Sequence, residues 1–225
     1  SALARQVADN GFAYARLPEQ RRNDQVRRAR TYFPVVSGTF VHLVAIDVWS
    51  RVWRHEASAE QKAAQARGLD DPLIYVAGLG RRAADKATQV LREARALADA
   101  YGEEPVTLVR FSQQVTQDSY QLALVLADRM ARGIEHPPRG RLIATGMSTA
   151  WTTGQVEWVD QAAGKLPYLA RVLAAGDRIL LPAAWAEEHR DAIALLKNHA
   201  LVRDSEASVT LVDQIGFQDL RVDGS

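Results

Sequence analysis

Two hydrophobic periods alternate along this chain, and their alternation limits the folds open to it. Short runs rich in β-branched residues are followed by stretches whose apolar residues recur at helical spacing. Residues 39–48 (TFVHLVAIDV) read as a strand, with 51–56 as its returning partner in a hairpin. Further strands are expected at 73–77, 106–111, 142–145, 155–159, 178–181 and 209–212. Between them, Gly78-Leu79-Gly80 leads into an alanine-rich helix through Ala100, closed by Gly102. A second helix is expected over 119–132, stopped by Gly133. A third, over 166–175, has Pro167 in its first turn and Gly176 just past its end. A fourth runs to about Asn198. Helices interleaved with strands predict a layered α/β (α+β) domain.

The chain's 225 residues suit one globular domain with an appended arm. Residues 1–37 stand apart, because Arg21, Arg22, Arg27, Arg28 and Arg30 cluster there and Pro34 closes the segment. This stretch is predicted to be a basic helical arm or linker, and 38–225 the domain proper. The basic cluster reads as a solvated face, with contact to a partner or nucleic acid as the other reading. A net charge of +1 leaves no broad field for nucleic acid. The absence of cysteine removes disulfides, thiolate metal sites and thiol nucleophiles, and agrees with a cytoplasmic location. No apolar run approaches the roughly 20 residues that span a bilayer, and the N-terminus lacks a signal-peptide pattern. The histidines show no metal-ligand spacing, so no metal site is expected. No GxxxxGK[ST] loop is present either, so the chain carries no ATPase module of its own and no bound cofactor is expected.

Several short motifs follow one another in a definite order. Asp118-Ser119-Tyr120-Gln121 opens a helix rich in small and apolar residues. Ala144-Thr145-Gly146-Met147 ends a strand, and Gly154-Gln155-Val156 enters what reads as a hairpin. Val159 lies six positions before Lys165, and Ile179-Leu180-Leu181-Pro182 closes a later strand. Over roughly residues 70–182, and more weakly over 39–69, this series resembles the peptidase domain of the Lon protease family. That family has Pro-Ser-Ala-Gly at its serine, Thr-Gly-Glu at the strand end, and a lysine-bearing helix before a strand ending in Ile-Pro. The resemblance implies the Lon proteolytic-domain fold, which is ribosomal protein S5 domain 2-like. It also implies a serine–lysine dyad of Ser119 and Lys165, with Thr145 orienting the lysine. Asp118, Tyr120, Gln121 and Met147 depart from the family pattern, and an acidic residue often found before the serine falls at Thr116.

The chemistry of these residues is consistent with such a dyad. A serine hydroxyl becomes a competent nucleophile when a neighbouring base takes its proton. A lysine serves as that base once burial among apolar groups disfavours its charged form. Lys165 sits between Ala162-Ala163-Gly164 and Leu166-Pro167 at an expected helix start, where the macrodipole also disfavours a cation. The other lysines are Lys62, Lys86 and Lys197. Free N–H groups at the helix opened by Ser119 can stabilise an oxyanion, and Asp118 opposes that charge. The bland alternatives are a capping box between Asp118 and Gln121, a surface lysine and a simple turn at Thr145-Gly146.

Three functions follow from this sequence. The first is a serine endopeptidase domain acting on protein or peptide substrates in a homo-oligomer, hexameric in the full-length protein. By the family's pattern it would be coupled to an ATP-driven AAA+ motor on another part of the polypeptide or on another protein. The second, motivated by Asp118, Tyr120 and Met147, is a catalytically degenerate Lon-like domain serving as oligomeric scaffold of an ATPase, as in phage defence or DNA repair. The third is an unrelated α/β domain that binds a small ligand or nucleic acid. Trp49, Trp53 and Trp151 are candidates for an interface if exposed.

Overall fold

In the computed structural model, which describes residues 26–51, 74–96 and 106–216, the chain first doubles back on itself. β1 (Val26–Ser37) and β2 (Phe40–Arg51) pair antiparallel over their whole length, with Ser37 opposite Phe40 and Val26 opposite Arg51. So tight a turn needs a left-handed first residue, and Gly38 supplies it at φ +61°. The partner of β2 is therefore β1; the expected returning strand at 51–56 lies almost wholly outside the described residues.

The hairpin occupies the centre of a seven-stranded sheet with order β3-β4-β2-β1-β5-β6-β7. On one side β4 (Val106–Phe111) runs antiparallel to β2, and β3 (Ile74–Ala77) parallel to β4. On the other, β5 (Leu142–Ala144), β6 (Arg178–Pro182) and β7 (Ser208–Val212) follow β1 in parallel. Thus β2 alone runs against its neighbours, and the carboxyl ends of β1, β3, β4, β5, β6 and β7 share one edge of the sheet. Such an edge is where open α/β sheets tend to build sites.

Period-2 alternation divides the apolar residues between two faces. Val44, Ile46 and Val48 of β2, with Leu142, Ala144 and Leu180, join α1 (Arg81–Ala96) and α2 (Gln121–Ala131) in one core. Ile143, Ile179 and Leu181 face the opposite way. They pack with α3 (Ala162–Val172), α4 (Trp185–Glu188) and α5 (Arg190–Lys197), and α6 (Ala200–Arg203) adds Leu201 and Val202. Among the described residues, a mixed sheet flanked by six α-helices is the α/β class expected from the sequence.

Several local expectations need correction. Residues 26–37 are β1, not part of a helical arm; residues 1–25 of that arm lie outside the described residues. Ala29, Thr31 and Phe33 are buried, while Arg28 and Arg30 on the other face share the carboxylate of Asp47 at 2.9 and 2.8 Å. Alternation that buries one face is a strand signal, and the arginine cluster obscured it. Residues 155–159 form no strand; they make isolated bridges, Met147 with Glu157 and Gln155 with Gln214. The helix expected from 166 starts at Ala162, so Pro167 lies inside it. The helix expected to about Asn198 is broken into α4 and α5, and α6 follows beyond it. Among the described residues no helix is long and apolar enough to cross a membrane.

Candidate active site

Ser119 lies in the turn between β4 and α2, beyond the carboxyl end of β4, and is 5% exposed. Its backbone is clasped by the segment leaving β5. Gly146 N–H donates to the Ser119 carbonyl at 3.2 Å, and Leu122 N–H returns the bond to the Gly146 carbonyl at 3.1 Å. This closeness needs a glycine, since a Cβ at Gly146 would stand 2.9 Å from Val156 Cγ1. Thr145, fully buried, donates its hydroxyl to the same Ser119 carbonyl at 3.5 Å, a long bond. Thr145 therefore touches the serine's backbone. The ammonium of Lys165 finds its partner elsewhere.

Lys165 stands in the first turn of α3, where its N–H makes a helical bond to the Gln161 carbonyl at 3.0 Å. Gln161 caps the helix in the left-handed region at φ +70°, strain that a non-glycine residue carries only where its surroundings enforce it. The side chain of Lys165 is 1% exposed, and its Nζ donates to the Asp160 carbonyl at 3.0 Å. Burial lowers its pKa to about 8, against a partly opposing influence from Asp160. The preceding carbonyl, of Val159, accepts from Trp185 Nε1 at 3.0 Å, so two buried side chains pin this turn.

The helices bearing these residues flank opposite faces of the sheet, but both of their first turns lie at its carboxyl edge. α3 begins beside the projecting hairpin, with Gly164 against Val36 and Val41. Thr145-Gly146 leaves β5 at the same edge. From there the chain passes through Met147, which bridges Glu157, and on to Asp160 at the lysine. One segment therefore connects the backbone of Ser119 to the ammonium of Lys165.

The departures from the family motif have definite structural roles. The capping box is not formed, since Tyr120 caps α2 without a side-chain bond. Asp118 instead pairs with Lys86 of α1. Gln121 Oε1 accepts from Trp151 Nε1 at 2.8 Å and from Ser148 N–H at 3.2 Å, holding the loop after Gly146 against the start of α2. Tyr120 is buried edge-on against Phe111, 5.2 Å between ring centroids, and near Phe33; burial pushes its phenol upward. The sequence carries no signal for the clamp by Gln121, whose spacing from Asp118 fits a capping box instead.

The backbone donors are fewer than a bare helix start offers. Gln121 N–H is bonded to the Asp118 carbonyl and Leu122 N–H to that of Gly146. Among the described residues, the N–H groups of Ser119 and Tyr120 have no such partner, and these two can serve an oxyanion. Trp151 is fully buried and so offers nothing to an interface, whereas Trp49 is half-buried under the guanidinium of Arg28. Trp53 lies outside the described residues. No group of His, Asp or Glu among the described residues has the arrangement of a metal site. Compared with known proteins, the chain matches no family model and no curated sequence.

Proposed function

We propose that this chain is a Lon-like serine peptidase domain in which Ser119 is the nucleophile and Lys165 the general base. The observation that carries the reading is Lys165, a fully buried lysine with no carboxylate among the described residues hydrogen-bonded to it and a pKa lowered to about 8. A neutral Lys165 takes the proton of the Ser119 hydroxyl as Oγ attacks the peptide carbonyl carbon. The oxyanion is received by the N–H groups of Ser119 and Tyr120. Lys165 then returns the proton to the departing amine, leaving an acyl-serine that water hydrolyses. Thr145, donating to the Ser119 carbonyl, acts by fixing the nucleophile's backbone. Substrate is delivered as unfolded protein by an ATP-driven AAA+ motor outside this chain, within a homo-oligomeric ring, hexameric in the full-length protein, in the cytoplasm.

The test is cleavage of casein by the assembled protein with its motor and ATP. Ser119→Ala and Lys165→Ala should each abolish cleavage, and the double variant should be no worse than either, as residues acting as one unit are non-additive. Lys165→Arg should fail too, because arginine stays protonated. Cleavage that survives Ser119→Ala would remove that serine from the mechanism. A second reading is favoured by the bulk around the serine, where Tyr120, Gln121 and Trp151 are all buried. It takes the domain as a scaffold of an ATPase assembly, and predicts ring formation with no cleavage under any condition.

A further inference from the structure

Among the described residues, Arg95 and Lys86 each tie α1 to the α2 region by an ion pair, and the two pairs differ in what they can be for. Arg95 holds the buried Asp128 at 2.7 Å, a tie between the packed faces of the two helices. Lys86 holds Asp118 near the opposite end, with 49% of the lysine side chain and 35% of the aspartate exposed. A pair so open to water contributes little to stability. Its position is what distinguishes it, because Asp118 directly precedes Ser119 and its charge also acts on the adjacent Tyr120 phenol.

We propose that Lys86 is a charge-compensating positioning residue for this site, cancelling the carboxylate of Asp118, the residue directly before Ser119. The inference rests on the reading of Ser119 as nucleophile and extends it to a residue on another helix. An unpaired carboxylate there opposes the negative charge that develops on the substrate carbonyl oxygen. Substrate carries no such charge before attack, so loss of Lys86 acts on the transition state and leaves ground-state binding in place. The Asp118 departure is then tolerated because Lys86 accompanies it.

The experiment measures kcat and KM for casein cleavage by the assembled protein, with a thermal melt of each variant. Lys86→Met is expected to lower kcat roughly tenfold, the effect of one uncompensated charge at short range in a partly screened site. KM should stay within about twofold and the melting temperature within about 2 °C, as Lys86 is half exposed. Lys86→Arg should retain activity. Adding Asp118→Asn to Lys86→Met should restore kcat, which a purely structural role for Lys86 would not allow. Full activity in Lys86→Met, or an unrescued loss in the double variant, overturns the inference. Ser119→Ala run in parallel separates the two levels. If it abolishes cleavage while Lys86→Met does not, the inference falls alone. If cleavage survives Ser119→Ala, or the wild type shows none, the nucleophile reading falls and takes the inference with it.

Discussion

Asp128 in α2 and Lys165 in α3 are both charged groups taken out of water, at 2% and 1% exposure, and the chain treats them in opposite ways. Asp128 is surrounded by cations. Arg95 grips both its oxygens at 3.1 and 2.7 Å, and Arg132 approaches from one helical turn on. Lys165 receives one backbone carbonyl, and Asp160 influences it only at a distance. A buried charge matched by opposite charges ties elements together. One matched only by a carbonyl dipole is ready to give up its proton. Burial alone does not separate structural from chemical charges; the partner set does.

The comparison breaks first at Asp128. Asp128→Ala should cost about 3–5 kcal/mol in denaturant unfolding, since it takes the carboxylate from a largely buried guanidinium, leaving Arg95 the neutral Thr107 hydroxyl at 2.6 Å. A loss below about 1 kcal/mol would mean that the pairing is incidental. Lys165→Met should do the reverse and stabilise the domain at pH 7 by about 2–3 kcal/mol, by removing a charge whose burial is uncompensated. The sign follows from the two titrations. The unfolded lysine titrates near 10.5 and the folded one near 8, so between these values the unfolded chain holds the extra proton and wild-type stability rises with pH. The advantage of the methionine variant should therefore shrink from pH 8 upward and vanish above pH 10.5. An advantage independent of pH would show that Lys165 does not titrate there.

The same lysine sharpens the comparison through rate. In the proposed mechanism only the neutral amine accepts the serine proton, so kcat/KM should fall about tenfold per pH unit below about 8 and level off above it. The smallest effect is expected at Asp47, whose partners Arg28 and Arg30 are about half exposed. Burial raises its carboxyl pKa, but the hydrogen bonds from Arg30 and Arg28 outweigh that and hold it below the usual value. Its contribution is present above the ordinary carboxylate range and is lost as pH falls through the lowered value. Asp47→Asn should cost less than about 1 kcal/mol near neutrality, and chemical unfolding at low and high salt would reveal any larger share.

Much of the sheet could be read from the sequence because its strands are short apolar runs bounded by turn residues. β4 agrees with its expected bounds to the residue, and β3, β5, β6 and β7 differ from theirs by one. β1 was lost because five arginines dominate its neighbourhood, although the alternation of Ala29, Thr31 and Phe33 with Arg28 and Arg30 was there to be found. Residues 155–159 have strand-like composition, yet their partners are single residues that sequence spacing does not reveal, Met147 and Gln214. At the candidate site, Ser119, Lys165 and Thr145 came from the order of motifs, and the burial of Lys165 was foreseen from its apolar neighbours. The pairing of Asp118 with Lys86 and the hold of Gln121 on Trp151 were not, because each joins residues about 30 positions apart.

The hairpin of β1 and β2 also bears on the order in which the chain can assemble. It pairs twelve residues with twelve across a two-residue turn, while the parallel pairings around it all close much longer loops. Local pairing costs the least chain entropy and proceeds fastest, in microseconds for an isolated hairpin. Because this hairpin is the middle of the sheet, each of its outer edges is a template on which one half can grow, β4 and β3 on one side and β5, β6 and β7 on the other. The two flanks are therefore expected to fold as successive additions to a shared nucleus, with substitutions at Gly38 slowing folding more than they speed unfolding.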